Sequence, residues 1–164
     1  CCRFDESDAR ALGRTASGVR GINIEEDDEV VGMITYDPTA EDAAAHSILV
    51  VSENGYGKRS DFDEYRKTNR GGKGVKTLNI TEKTGALVAM KNVTDENDLM
   101  IINKSGLTIR MAVSDIRVAG RATQGVKLIN IKEGDSIAAI SAVNKSEEDT
   151  PVQPAEQVNE ENNE

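Results

Sequence analysis

The chain has 164 residues, 20 Lys and Arg against 29 Asp and Glu, a formal net charge of −9, and only 3% aromatics with no Trp. That length allows one ordinary domain, whose core must be built from Val, Ile, Leu, Met and Ala. The scarcity of aromatics argues against recognition by stacking of unpaired bases, and no apolar run approaches the ~18 residues of a membrane-spanning helix or carries a signal-peptide pattern.

Cys1 and Cys2 open the chain and are its only cysteines. Adjacent cysteines make a poor disulfide framework and lack metal-ligand spacing, so the reading is a reducing, intracellular setting and no metal site. The chain begins on Cys and inside a repeat, and is expected to be a piece of a longer protein. The first copy of that repeat carries Arg3, Arg10 and Arg14, then Gly18-Val19-Arg20 and Ile22-Asn23-Ile24. An acidic turn, Glu25–Glu29, follows, and then an apolar stretch, Val30–Thr35, predicted as a strand. Asp37–Ser47 is polar and Ala-rich and reads as a loop insertion; its lone His46 has no partner cluster and is given no functional role.

Ile48-Leu49-Val50-Val51, the turn Glu53-Asn54-Gly55, and Lys58-Arg59 predict a β-hairpin whose first strand is buried on both faces. The second copy then gives Arg59, Arg66 and Arg70, Gly74-Val75-Lys76 and Leu78-Asn79-Ile80, an offset of 56 residues from the first. Ala86–Met90 is its last predicted strand. Leu99-Met100-Ile101-Ile102, Lys104-Ser105-Gly106 and Ile109-Arg110 repeat the hairpin. The third copy places Arg110, Arg117, Arg121, Gly125-Val126-Lys127 and Ile129-Asn130-Ile131 at an offset of 51 from the second, and ends in Ile137–Ala142. Single helical turns are expected at Asp61–Arg66 and Ser114–Arg117. Each unit thus reads as four short strands, with the Gly-Val-Lys-x-Leu-Asn-Ile stretch as the third. A four-stranded unit with a period near fifty residues points to propeller-type blades, about two and a half of them over residues 1–145.

Residues 146–164 hold seven acids and no Lys or Arg, which leaves 22 acidic and 20 basic residues in 1–145, a net of −2. This segment is expected to be a disordered acidic tail, placed to compete with phosphates for any basic surface.

The chemistry resides in the loop Arg66–Gly74 and its equivalents. Glycines let backbone N–H groups approach an anion, and Arg and Lys supply charge, a combination suited to a phosphate backbone. Basic residues cluster from the hairpin end to the third stretch, while acids cluster in the turn after it. Blades stacked about an axis would place the arginines on one rim and the acids elsewhere. The expected partner is double-stranded DNA bound without much sequence preference. The expected contacts are Arg14, Arg70 and Arg121, helped by Arg20, Lys73, Lys76 and Lys127, with Arg3, Arg59 and Arg110 as second choices. Tyr36, Tyr56 and Tyr65 lie beside no recognisable base or acidic cluster, and Tyr65 is expected to serve packing. No phosphate-binding P-loop is present.

The stretches Gly55-Tyr56-Gly57-Lys58-Arg59, Arg70-Gly71-Gly72-Lys73-Gly74-Val75 and Gly120-Arg121 with Gln124-Gly125-Val126 resemble the C-terminal domain of DNA gyrase A, over residues 3 to about 143. The resemblance implies an all-β fold, a β-pinwheel of four-stranded blades forming here an incomplete disc. It implies a non-catalytic, DNA-wrapping part of a type IIA topoisomerase that supercoils DNA negatively with ATP. ATP and Mg would be used through other domains, with no cofactor in this part, no catalytic residue and no metal site. The implied partners are DNA, the rest of gyrase A, and gyrase B in an A2B2 assembly, with a cytoplasmic, nucleoid-associated location. The family's defining box is matched only in part, since Thr68 and Asn69 stand at its first two positions. Topoisomerase IV has a related C-terminal domain, and a propeller-type protein-interaction module with blade-pairing arginines is the alternative from another class.

Overall fold

The computed structural model describes residues 1–145; the expected acidic tail, 146–164, lies outside them. Both predicted hairpins form. β1 (Ser47–Ser52) and β2 (Tyr56–Ser60) pair antiparallel with Val50 opposite Lys58, around a turn in which Gly55 takes φ 80°. β3 (Leu87–Val93) lies on the other side of β1, with Val50 opposite Met90. β4 (Asn97–Asn103) and β5 (Thr108–Ala112) make the second hairpin, with Met100 opposite Arg110. β6 is only Val126–Lys127, and β7 (Ile137–Asn144) pairs with β4, Ile140 facing Ile101. The sheets run β3-β1-β2-β6 and β5-β4-β7, with all these pairs antiparallel. One-turn 3-10 helices follow the hairpin ends at Phe62–Glu64 and Val113–Asp115, each starting within one residue of expectation and ending two residues earlier, and at Glu6–Asp8 in the first copy; another, Ala43–Ala45, lies in the insertion.

The third predicted strand departs from expectation. Its residues do not extend the sheet of their own repeat. β6 crosses instead to the hairpin of the preceding repeat, with Val126 opposite Gly57 and Lys127 opposite Tyr56. The same exchange recurs one repeat earlier: the Val75 N–H donates to the Cys1 carbonyl at 2.7 Å, and the Cys1 amino group donates to the Val75 carbonyl at 2.8 Å. Beside each pairing runs a parallel bridge, Arg3 with Lys67 and Arg59 with Val118. A two-residue ladder explains why Gly74–Ile80 is otherwise irregular, although its residues alternate. Val30–Thr35 is likewise not a strand among the described residues. Its equivalents β3 and β7 pair with β1 and β4, and no such hairpin precedes it in this chain.

β1 is buried on both faces, as its apolar run predicts, by the second sheet on one side and by loop and one-turn-helix residues on the other. Leu49 and Val51 pack with Leu99, Ile101, Ile116 and Ile140, while Ile48 and Val50 pack with Phe62, Tyr65 and Leu78. Each such side chain contributes about 1.5–3 kcal/mol when fully buried. The same expectation fails for β4. Leu99 and Ile101 are buried, but Ile102 is 40% exposed, because only one of its faces meets another sheet.

Gly125 shows how close the exchange brings the repeats. It sits at φ 77°, and a Cβ there would lie 2.4 Å from the Gly57 carbonyl oxygen. Gly125→Ala therefore combines left-handed strain with a backbone clash across the seam and should lose about 3 kcal/mol in urea unfolding. Gly13→Ala, where a Cβ meets nothing within 4 Å, should change stability little.

Candidate nucleic-acid interface

The basic residues fall along two equivalent seams. At the first, Arg70 reaches back into the preceding repeat, where Nε donates to the Asp8 carbonyl at 2.8 Å and Nη1 to the Arg20 carbonyl at 2.6 Å. At the second, Arg121 does the same, Nε to Glu64 O at 2.9 Å and Nη1 to Lys76 O at 2.6 Å. Asp8 and Glu64, and Arg20 and Lys76, are repeat equivalents, so this is one device built twice. The acceptors are neutral carbonyls, and neither guanidinium forms an ion pair among the described residues. Guanidinium has five N–H donors and keeps its charge at all relevant pH values. Both arginines are partly exposed, so positive charge remains at the surface after the seam is bonded.

The hairpin-end arginines behave differently. Arg59 is 7% exposed; its Nε donates to Ile116 O at 2.8 Å and its Nη1 pairs with Asp95. Arg3 donates to Phe62 O at 2.7 Å and Tyr65 O at 3.0 Å and lies over the Tyr36 ring. Arg110 bonds Asp98 within its own hairpin at 2.7 Å. These second-choice residues thus hold hairpin ends and seams.

The remaining candidates are exposed. Arg14, Arg20, Lys76 and Lys127 have no side-chain hydrogen bond or ion pair among the described residues, and Arg20 and Lys76 stand where Arg70 and Arg121 take their carbonyls. Lys73 is 3.8 Å from Glu25, both well exposed. The acidic turn of one repeat therefore meets the basic loop of the next, a departure from the expected separation of the charges. The loop glycines also differ from expectation, since the Gly71 N–H is held by Gly21 O at 2.8 Å and the Gly72 N–H by Asn69 O at 3.4 Å.

Sequence reasoning missed Lys58. It is fully buried, and its ammonium donates to Gly120 O at 2.7 Å and to Arg121 O, directly beneath the Arg121 turn. Burial, with the nearby Arg121 charge, lowers its pKa to about 8. Its repeat equivalents are Cys2 and Ile109, so no shared pattern marks it. Tyr65 packs as expected, fully buried with its hydroxyl on Thr77 and its pKa raised by burial. His46 bonds Asn92 and Asp42. Among the described residues no cluster of three or more His, Cys, Asp or Glu could hold a metal, and no helix is long and apolar enough to cross a membrane.

The family model for the DNA gyrase C-terminal domain, beta-propeller, matches residues 3–37, 46–94 and 97–144. The DNA gyrase A protein of Staphylococcus epidermidis is 48% identical over 146 residues, 89% of this chain and 16% of that protein. Its Staphylococcus aureus counterpart is 48% identical over 147 residues, 90% of this chain. The chain thus spans about 16% of the length of these relatives. Among solved structures, a DNA gyrase A C-terminal domain superposes with TM-score 0.74 over 85% of this chain and 45% of its own. The C-terminal domain of a DNA topoisomerase IV superposes with TM-score 0.75 over 86% of this chain and 42% of its own. Both are 24% identical to it and share its β-pinwheel fold.

The two classes of basic residue should separate in stability measurements. Arg59→Ala empties a buried guanidinium site and strips the Ile116 carbonyl and the exposed Asp95 carboxylate of their donor, and should cost about 2 kcal/mol in urea unfolding. Arg20→Ala and Lys76→Ala, at exposed side chains, should stay within about 0.5 kcal/mol of the parent.

Proposed function

Because this chain belongs to the family of DNA gyrase C-terminal domains, we propose that it is the DNA-binding and DNA-wrapping part of a gyrase A protein. The observation that carries this reading is the repeated guanidinium whose bonds go to carbonyls. Arg70 and Arg121 are fixed in place without being neutralised, which suits them to a sequence-independent backbone of phosphates. Arg14, Arg20, Lys73, Lys76 and Lys127 extend the same surface. Arg3, Arg59 and Arg110 support it from hairpin ends.

The part itself is non-catalytic in this reading. The whole enzyme would use ATP and Mg through other domains, assemble as A2B2 and act on chromosomal DNA in the cytoplasm. The 48% identity to gyrase A proteins favours gyrase over topoisomerase IV, for which the likeness is one of fold.

A second reading, a protein-interaction module, is favoured by the blade-bridging bonds of Arg70 and Arg121. Duplex DNA binding across a salt series separates the two. Arg14 bonds nothing among the described residues, so Arg14→Ala removes charge without loosening a seam. It should weaken binding and flatten the log–log salt slope by about 0.9, the value for one phosphate contact. Arg70→Ala and Arg121→Ala should do likewise while also lowering the melting temperature. Salt-insensitive binding, or variants that lose only stability, would overturn the DNA reading. Deleting residues 146–164 removes seven acids and should tighten binding most at low salt, where screening is weak; the same titrations on the shortened chain check this.

A further inference from the structure

Lys58 is a buried cation with no carboxylate partner among the described residues. Its ammonium lies under the turn Gly120–Thr123 and bonds two consecutive carbonyls of it, Gly120 O and Arg121 O. The Gly120 carbonyl also accepts from Thr123 Oγ1 at 2.9 Å and closes the turn through the Thr123 N–H at 3.2 Å. A small cleft of about 100 Å³ adjoins this point, lined by Lys58, Arg117, Thr123, Gln124 and Gly125 among others. At the preceding seam Cys2 occupies the equivalent place, its Sγ 3.6 Å from Asn69 O, the counterpart of Gly120. A thiol there makes a weak, neutral contact; Lys58 replaces it with charge-assisted donors to two carbonyls.

We propose that Lys58 is the positioning residue of the phosphate-facing turn at the second seam, holding the turn from beneath so that Arg121 is presented to DNA, and lending its own charge to that surface. The proposal rests on the DNA-binding reading above. Lys58 does not touch DNA in it. The charged groups facing Lys58 are Arg121 and Arg117 on the segment above it and Glu64 on the one-turn helix beside the seam. Arg121 lowers the Lys58 pKa and Glu64 raises it, but burial dominates. With its pKa lowered to about 8, Lys58 is mostly charged at about pH 7 and mostly neutral at about pH 9.5. DNA phosphates nearby favour the charged form, so binding takes up protons near this pKa and affinity falls as pH rises through that range.

The test is duplex DNA binding by the whole chain carrying Lys58→Met, Arg121→Ala, or both, with urea unfolding of each. Met keeps the length and removes the buried charge but leaves the Gly120 and Arg121 carbonyls without their donor, so the urea unfolding separates lost stability from lost binding. Lys58→Met should weaken binding about tenfold, cost clearly less in the Arg121→Ala background, and abolish the part of the affinity loss between about pH 7 and 9.5 that is specific to the parent. A Lys58→Met protein that binds like the parent, or equal losses in both backgrounds with an unchanged pH profile, overturns the positioning role. If Arg121→Ala itself leaves binding unaltered, the DNA reading of this seam fails first, and the two failures are told apart. Should Lys58→Met fold poorly, Lys58→Gln with the same pH profile decides.

Discussion

The arrangement depends on one short exchange of backbone hydrogen bonds. Val126 and Lys127 complete the hairpin of the repeat before them, and Val75 does the same with Cys1. Only two residues of ladder form, yet they determine how closely successive sheets can lie. That proximity requires Gly125 at φ 77° with the Gly57 carbonyl close by. It brings Ala119 N–H to Arg59 O at 2.8 Å and Thr68 N–H to Arg3 O at 2.7 Å, repeat for repeat. It also places Arg70 and Arg121 within reach of the preceding copy. Units that contact only their neighbours draw their stability from such interfaces, and here β1, buried on both faces, shows what an interface on each side provides.

The pattern of residues made the hairpins, the single helical turns and the two-faced burial of β1 legible, because each follows from local spacing alone. The third strand was legible as an apolar alternation but not as an exchange. Alternation says which side chains share a face and is silent on which hairpin supplies the partner. The irregularity of Val30–Thr35 and the exposure of Ile102 have a related cause, since both concern neighbours rather than the segment itself. The spacing marked Arg14, Arg70 and Arg121 because the copies agree there, and Arg70 and Arg121 make matching seam bonds. Lys58 was hidden because the copies differ there, its counterparts Cys2 and Ile109 sharing none of its chemistry.

The seam role of Arg70 and Arg121 is compatible with the proposed phosphate contacts because a guanidinium has more donors than the seam uses. Two N–H groups of Arg121 go to Glu64 O and Lys76 O, and three remain. Had the seam used carboxylates as acceptors, as Arg59 uses Asp95, the charge would have been cancelled where it was anchored. Carbonyl acceptors orient the group and leave its field intact. Preorganising a long side chain in this way also reduces the rotamer entropy lost when a ligand arrives.

The overall charge of −9 is no obstacle to such a surface, since fields at contact range depend on which charges are near and how they are screened. The closer challenge is local. Glu25 stands 3.8 Å from Lys73, so the acidic turn of one repeat shares solvent with the basic loop of the next. Both side chains are largely exposed, about 80% each, and a pair of that kind contributes about 0–1 kcal/mol. A phosphate approaching Lys73 therefore competes with a weak partner. The acidic turn tempers the basic surface without silencing it, and favours a ligand that engages several cations at once over any single anion.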